Sequence, residues 1–280
     1  MSPIHDQSYR HYGGTKATPG HAWAVIATAG LRTFLRRRAF LGIMLFALFP
    51  FIVRAVQLYI AANVAQASII AAGPQTFRQF LEQQDFFVFV ITVYVGAGLI
   101  ANDRRANALQ IYLSKPLMRT EYIFGKLAVL VVFLLSVTLV PAILLLLLKI
   151  VFDGSFAFLR ANLFLIPAIV VASLLQVLLA SFTMLALSSL SKSARFVGIM
   201  YAGLIFFTDA IFATLKFLVR ASGASLVSPT QTLAQLGDAI FRVEPRYDTP
   251  TWASLLVVVV LVAGSALILE RRIRGVEVVA

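Results

Sequence analysis

The sequence predicts an all-α polytopic membrane protein, with six transmembrane helices preceded by an amphipathic interfacial helix and with both termini in the cytoplasm. Composition supports this fold class in two ways. Only 13% of the 280 residues are charged and 60% are hydrophobic, whereas ordinary soluble domains are about 25% charged. Mean hydropathy is +0.90. A chain this apolar avoids aggregation only where lipid serves as its solvent.

The placement of the basic residues is the third observation. The net charge of +12 alone would be compatible with nucleic-acid binding, but Lys and Arg cluster beside apolar segments, as in "RRR" at residues 36–38. Cytoplasmic segments of membrane proteins carry such an excess of Lys and Arg. We therefore expect the lipid bilayer as a partner and no nucleic acid.

The N-terminal residues 1–21 are polar, Gly-rich and aperiodic, which predicts a disordered cytoplasmic tail. All three histidines, His5, His11 and His21, lie here, but their spacing fits no compact metal-binding motif. The chain has no cysteine, so it has no disulfide or thiolate ligand. We expect neither a metal site nor a cofactor.

Residues 22–38 have the pattern of a basic amphipathic helix. The apolar residues recur at helical spacing, and Arg32, Arg36 and Arg37 lie mostly elsewhere on the helical wheel; the apolar set is Trp23, Ile26, Ala27, Leu31, Phe34 and Leu35. This pattern predicts a helix in the membrane interface, with its cations at anionic headgroups. The alternative is a cytosolic extension of the first span.

A transmembrane domain is predicted over residues 39–270, because six apolar segments each approach the ~20 residues that a bilayer requires. They cover residues 39–62, 84–101, 122–150, 161–189, 195–219 and 251–270. The third and fourth are long, and Pro141 and Pro167 are predicted kink points. In the last outer loop, "TQTLAQLGDAIF" predicts a short helix at residues 230–241, as an interfacial cover or a substrate gate.

The orientation follows from the basic residues. With the N-terminus in the cytoplasm, most of the 24 Lys and Arg residues lie in or beside cytoplasmic segments. An odd number of spans would place the C-terminal "ERRIRG" outside, against the positive-inside rule. The predicted cytoplasmic C-terminal tail covers residues 271–280, and the predicted location is a bacterial inner or plasma membrane.

Signatures of catalysis are absent from the sequence. It contains no H-E-x-x-H and no G-x-S-x-G, and no histidine lies in a predicted span. Gly125-Lys126 lacks both the upstream glycine and the following Ser or Thr of a nucleotide-binding loop. We therefore expect no enzyme and no catalytic residue in this chain.

Charged residues inside spans are costly and so mark functional candidates. Arg54 and Asp209 are both predicted ~21–23 Å above the inner surface. They form an ion pair, or else Arg54 reaches outward and Asp209 borders a water-filled vestibule. Gln176 is an isolated polar residue in the fourth span. A small-residue ridge on the fifth span predicts close helix packing, internally or in a dimer; it consists of Ala194, Gly198 and Ala202.

The segment "NDRRANALQIYLSKPLMRTEYIFGKL" is predicted to be cytoplasmic, between spans two and three. Residues 104–113 are good helix formers, and Leu109, Tyr112 and Leu113 form one apolar ridge. Pro116 ends this helix, because it lacks an N–H and disfavours α geometry in the preceding residue. Such a surface helix passes a partner's movement to two spans; the alternative is a basic loop that only enforces topology.

The order of residues in this segment resembles the cytoplasmic loop of ABC-2 type transporter permeases. The wording "YLSKPLMRTEYIFGK" is similar in particular to the branch associated with multicopper enzyme maturation systems. Asn107 and Ala108 depart from the pattern of ABC-2 type permeases, in which Gly-Thr is common at these positions, and Gln110 replaces an acid. The matching positions are Asp103, Leu109, Gln110, Leu113, Ser114, Pro116, Arg119, Gly125 and Lys126.

The resemblance implies the permease subunit of an ABC transporter that works as an exporter. Two permease subunits, as a homodimer or heterodimer, would assemble with two copies of a separate ATP-binding subunit. The implied ATPase-coupling surface consists of Arg104, Arg105, Leu109, Gln110, Tyr112, Leu113, Pro116 and Arg119. The alternatives are a membrane scaffold or assembly subunit without transport, and a secondary transporter.

Overall fold

The computed structural model describes residues 22–63, 73–108, 119–218 and 222–273. None of these residues is in a strand, and six helical segments are long and apolar enough to cross a membrane. The all-α polytopic fold class is thereby confirmed. The predicted N-terminal tail and most of the C-terminal tail lie outside the described residues. Spans 1 to 6 are Arg38–Asn63, Pro74–Arg105, Arg119–Asp153, Leu165–Leu190, Ala194–Leu218 and Thr251–Arg272.

We name the two ends of the spans from the predicted orientation. The inner end, predicted to be cytoplasmic, holds the end of span 2 and the start of span 3. The outer end holds the start of span 2 and the connection between spans 5 and 6.

An amphipathic helix precedes span 1, as predicted. This interfacial helix, Ala22–Leu35, buries Ala27 and Phe34 against the protein. The ring of Phe34 lies 6.2 Å from that of Phe133 in span 3. Span 1 then consists of two helices, Arg38–Phe46 and Phe49–Asn63. The interfacial helix therefore lies along the inner half of span 3 instead of continuing span 1.

Span 2 is longer than its apolar segment predicts. It contains helices Pro74–Ile91 and Ala97–Arg105, joined by a π-helical turn at Thr92–Gly96. Its 32 residues would extend ~48 Å at 1.5 Å per residue, whereas the hydrocarbon core is about 30 Å thick. Residues 74–83, predicted as part of an outer loop, are therefore a helical extension beyond the apolar segment, because hydropathy reports only the lipid-embedded part.

The two predicted kink prolines behave differently. Span 3 is interrupted at Thr138, between helices Arg119–Val137 and Leu139–Asp153, and Pro141 follows the interruption. Its missing N–H and its ring are incompatible with a continuous helix there. The prediction of a kink at Pro167 is wrong. Span 4 begins at Leu165, so this proline lies in the first turn, where its N–H needs no helical partner. A separate short helix, Ala157–Ala161, precedes it.

Three spans form the interior and three lie at the periphery. The apolar windows of spans 2, 3 and 4 are 61%, 56% and 50% buried, whereas those of spans 1, 5 and 6 are 22%, 17% and 22% buried. Span 4 contacts spans 2, 3, 5 and 6 and is apolar around its whole circumference, as a central helix must be. The peripheral spans expose apolar side chains that suit a lipid environment.

The helix predicted in the last outer loop is confirmed within one residue at each end. This outer helix, Pro229–Ile240, follows a 3₁₀ turn at Ser222–Val227. Its Leu236 packs with Leu179 of span 4 and Val258 of span 6. Gln235 Nε2 donates to the carbonyl oxygens of residues 247 and 249, at 3.0 and 3.1 Å. Such fixed packing favours a cover over a gate.

Replacing Gly96 by Ala is expected to destabilise the fold by about 1–3 kcal/mol, because overpacking a core forces side chains to shift. A Cβ at this position would lie 2.4 Å from Met184 Cγ and 3.0 Å from Leu130 Cδ1, where spans 2, 3 and 4 meet. Gly203→Ala in span 5 is the matched control, because nothing lies within 4 Å of its Cβ position. Thermal unfolding of the purified protein measures both, and equal midpoints would contradict the expectation.

Candidate functional site

Two charged residues meet at the base of the inner loop between spans 2 and 3. Lys126 Nζ lies 2.7 Å from Asp103 Oδ2, and the Tyr122 hydroxyl donates to the same carboxylate oxygen at 2.7 Å. The lysine ammonium also lies 5.5 Å from the Tyr122 ring centroid. The side chains of Lys126 and Asp103 are only 14% and 19% exposed. These three residues, which we call the loop clamp, hold the two ends of the loop together.

Gly125, the residue before Lys126, lets the interfacial helix pack closely against span 3. A Cβ at this position would lie 2.8 Å from Ile26 Cβ and 3.0 Å from the Trp23 carbonyl oxygen. Real Cβ atoms essentially never approach another atom as closely as this position approaches Ile26 Cβ, so a side chain here would push the interfacial helix away from span 3. Glycine and lysine therefore serve separate contacts, one to the interfacial helix and one to span 2.

The inner end of span 2 is also joined to span 4. Ser188 Oγ accepts from the backbone N–H groups of Ile100 and Ala101, at 3.2 and 3.0 Å, and donates to the carbonyl of Ala97 at 2.9 Å. Arg104 Nη1 donates to the carbonyl of Ser189. Arg104, predicted to face a partner, therefore contributes to packing within this chain.

The helix of span 2 extends into the segment that the sequence predicts as a loop helix. The helix of span 2 ends at Arg105, and Asn107 has φ of 52°, a left-handed conformation that Gly and Asn adopt most readily. The predicted helix over residues 104–113 is therefore wrong at its start, because Arg104 and Arg105 belong to span 2.

The remaining residues of the predicted coupling surface divide into two groups. Arg105 and Arg119, on either side of the loop, are exposed. The others lie outside the described residues and stay a prediction; they are Leu109, Gln110, Tyr112, Leu113 and Pro116.

Arg54 is buried, at 8% exposure, and its partners are neutral. Its guanidinium donates to Oε1 of Gln57 at 2.8 Å and to Oε1 of Gln79 and Gln83 at 3.2 Å each. It pairs with no acid among the described residues. Gln79 and Gln83 lie in the outer extension of span 2, and the outward reach of Arg54 to water stays a prediction.

Asp209 has a structural partner in the outer loop. The hydroxyl of Ser228 donates to its carboxylate and accepts from the N–H of Gln231 at 3.2 Å, as the N-cap of the outer helix. Asp209 therefore fixes the start of the outer helix on span 5. The ion pair with Arg54 does not form within the described chain.

Gln176 is not isolated, because its Nε2 donates to Asp85 Oδ1 of span 2. Asp85 is a candidate that the sequence reasoning missed. It lies at the start of the second apolar segment, and an acid at the end of such a segment is ordinarily predicted to lie at the membrane surface. The available signal was its position beside Gln83 and Gln84 at the start of a predicted span.

The small-residue ridge of span 5 makes an internal contact with span 2. A Cβ on Gly198 would lie 3.3 Å from Val93 Cγ1, and Ala194 Cβ lies 3.7 Å from the Cβ position of Gly98. Ala202 continues the ridge along a groove of about 970 Å³ between span 5, span 2 and the interfacial helix. The internal alternative from the sequence is therefore observed; a role in a dimer stays a prediction.

Four charged side chains form a closed cluster at the outer end. Arg78 of span 2 donates to Asp238 at 2.6 Å and to Glu82 at 2.5 Å. Arg246 donates to the same two carboxylates, at 2.8 Å each. We call these residues the outer charge cluster. The sequence did not predict it, because Arg78 and Asp238 are 160 residues apart.

The cluster joins the outer extension of span 2 to the connection between spans 5 and 6. Hydrogen bonds to Glu82 raise the pKa of the Arg246 guanidinium above its usual value, so this residue stays charged at any physiological pH. Two arginines and two carboxylates leave the cluster without net charge.

Comparison of the chain with protein-family models and with curated proteins gave no match. The loop clamp, the intramembrane acids and the outer charge cluster are therefore the features from which a function is inferred.

Asp238→Asn is expected to destabilise the protein by about 3 kcal/mol, because it leaves two arginines without a buried partner. Glu82→Gln is the comparison, with an expected loss of about 1 kcal/mol or less. The side chain of Asp238 is 3% exposed, whereas that of Glu82 is 40% exposed. Denaturant or thermal unfolding measures the difference, and a larger loss for Glu82→Gln would contradict this account.

Proposed function

We propose that this chain is the permease subunit of an ABC transporter, an exporter driven by a separate ATP-binding subunit. That subunit docks on the inner loop between spans 2 and 3. The loop clamp is the observation that carries this proposal. Because Asp103 and Lys126 join the two ends of the loop, a push on the loop acts on both spans at once.

The contacts around the clamp distribute such a push further. Arg104 and Ser188 join the inner end of span 2 to span 4. Gly125 brings the interfacial helix against span 3. Spans 2, 3 and 4 are the buried interior of the domain, so movement at the loop reaches the helices that line its centre.

The docking surface combines an apolar ridge with flanking cations. Leu109, Tyr112 and Leu113 enter an apolar groove of the ATPase, and the exposed Arg105 and Arg119 lie near its acidic rim. The resemblance to ABC-2 type permeases supports this assignment. Two copies of the ATPase would then act on two permease subunits, each through its own loop.

Co-purification tests the proposal. The protein is tagged in its native host, extracted gently, and the proteins recovered with it are identified. We expect an ATP-binding subunit in the wild-type complex. Leu109→Asp with Tyr112→Asp should remove it, because two carboxylates cannot enter an apolar groove without a large desolvation cost.

Phe156→Asp is the control for this experiment, because Phe156 is an exposed apolar residue at the outer end, 61% exposed. Its ATPase recovery should equal that of the wild type. Intact protein without any ATPase would instead favour the scaffold or the secondary transporter. Full recovery with the Leu109 and Tyr112 variants would place the docking surface elsewhere.

Charge reversal tests the clamp separately from docking. Asp103→Lys should keep the ATPase bound but lower the rate at which the complex hydrolyses ATP, because the loop no longer holds spans 2 and 3 together. Adding Lys126→Asp should restore part of that rate. The pair Lys149 and Asp153, at 2.7 Å on the outer end of span 3, provides the control. Its reversal should leave hydrolysis unchanged, and an equal loss there would contradict a special role for the clamp.

A further inference from the structure

We propose that the cavity bordered by spans 2, 4, 5 and 6 below the outer helix binds an amphipathic organic cation, with the Asp85 carboxylate as its fixed counter-ion. Only the role of the bound cation as transported cargo rests on the proposed function. Binding itself depends on the geometry of this chain alone.

Asp85 lacks a cationic partner among the described residues. Its carboxylate accepts one hydrogen bond, from the neutral amide of Gln176, and the ion pairs of the described chain do not include it. It lies 18 residues before Asp103 in span 2, or ~27 Å along the helix. This depth corresponds to the outer part of the bilayer.

The surrounding charges do not neutralise Asp85. Arg78 attracts it, but Glu82 and Asp209 lie near enough to repel it, and Arg78 is already bonded to two carboxylates of the outer charge cluster. A carboxylate without a cation is costly in a medium of low dielectric constant. A cation placed beside Asp85 would offset part of that cost.

Two cavities reach Asp85 from opposite sides. A small one of about 40 Å³ lies toward the outer charge cluster and is bordered by Arg78, Glu82 and Gln176. It is large enough for water, which needs roughly 10–15 Å³ by the same measure. A larger cavity of about 330 Å³ extends inward from Asp85 and Gln176. The carboxylate thus stands at the polar end of an apolar chamber.

The walls of the larger cavity select an organic cation over a metal ion. Leucines line it from spans 4, 5 and 6 and from the outer helix, and its polar groups are few. Phe89 and Tyr201 also border it, with ring centroids 5.7 Å apart. Aromatic rings attract ammonium groups, and small-molecule sites of about 300 Å³ and more are mostly apolar with few polar anchors. The described residues hold no group of three metal-ligating side chains.

Binding of benzyltrimethylammonium to the purified chain in lipid nanodiscs tests the proposal. Neopentylbenzene, which replaces the ammonium nitrogen by carbon, is the uncharged comparison, and empty nanodiscs correct for partitioning. We expect the wild type to bind the cation at least tenfold more tightly than the uncharged compound. Asp85→Asn should abolish that preference.

Two further variants separate the site from general effects. Thr183→Phe fills the cavity without changing its charge and should weaken cation binding at least tenfold; Asp153→Asn removes a carboxylate outside the cavity and should have no effect. Thermal unfolding establishes that each variant is folded.

Equal binding of the two compounds, retention of cation binding in Asp85→Asn, or absence of binding to the wild type would each overturn the inference. The binding measurements are made without an ATPase, so they are independent of the co-purification experiment. A negative result in either experiment therefore does not affect the conclusion from the other.

Discussion

Lipid leaves a charged side chain either a bonded partner or a position at the membrane surface, and the architecture of this protein follows from that constraint. At the inner end Asp103 meets Lys126, and at the outer end two arginines meet two carboxylates. Between these ends Arg54 bonds three neutral glutamines. Apart from Arg54–Gln57 and Arg78–Glu82, which lie within one helix, these contacts join different elements of the fold.

Span 2 contributes to both the loop clamp and the outer charge cluster, and so it organises the domain. Its outer extension holds Arg78, its inner end holds Asp103, and Asp85 lies between them. Gly96 lets spans 3 and 4 approach it closely, at the end of the π-helical turn, a feature often found at functional sites. If the inner loop receives force from an ATPase, span 2 is the shortest covalent route from that loop to the Asp85 cavity.

Several elements could be predicted because their signals are local. Six apolar segments, the amphipathic pattern of residues 22–38 and the short helix near residue 230 each depend on neighbouring side chains. Pro167 was misjudged for the opposite reason: whether a proline kinks a helix depends on where the helix begins, and span 4 begins only two residues earlier. Asp85 was missed because hydropathy treats an acid at the edge of an apolar segment as a surface residue.

The sequence by itself determined the membrane class and the number of spans, because hydropathy and helical periodicity act over a few turns of chain. Tertiary structure alone decided which charges meet. Arg78 and Asp238 are distant in sequence, and Gln176 reaches Asp85 only because span 4 lies against span 2. A residue's charge is visible in the sequence, but its electrostatic partner depends on how the helices pack. The clamp, the cluster and the unpaired carboxylate are therefore consequences of the fold.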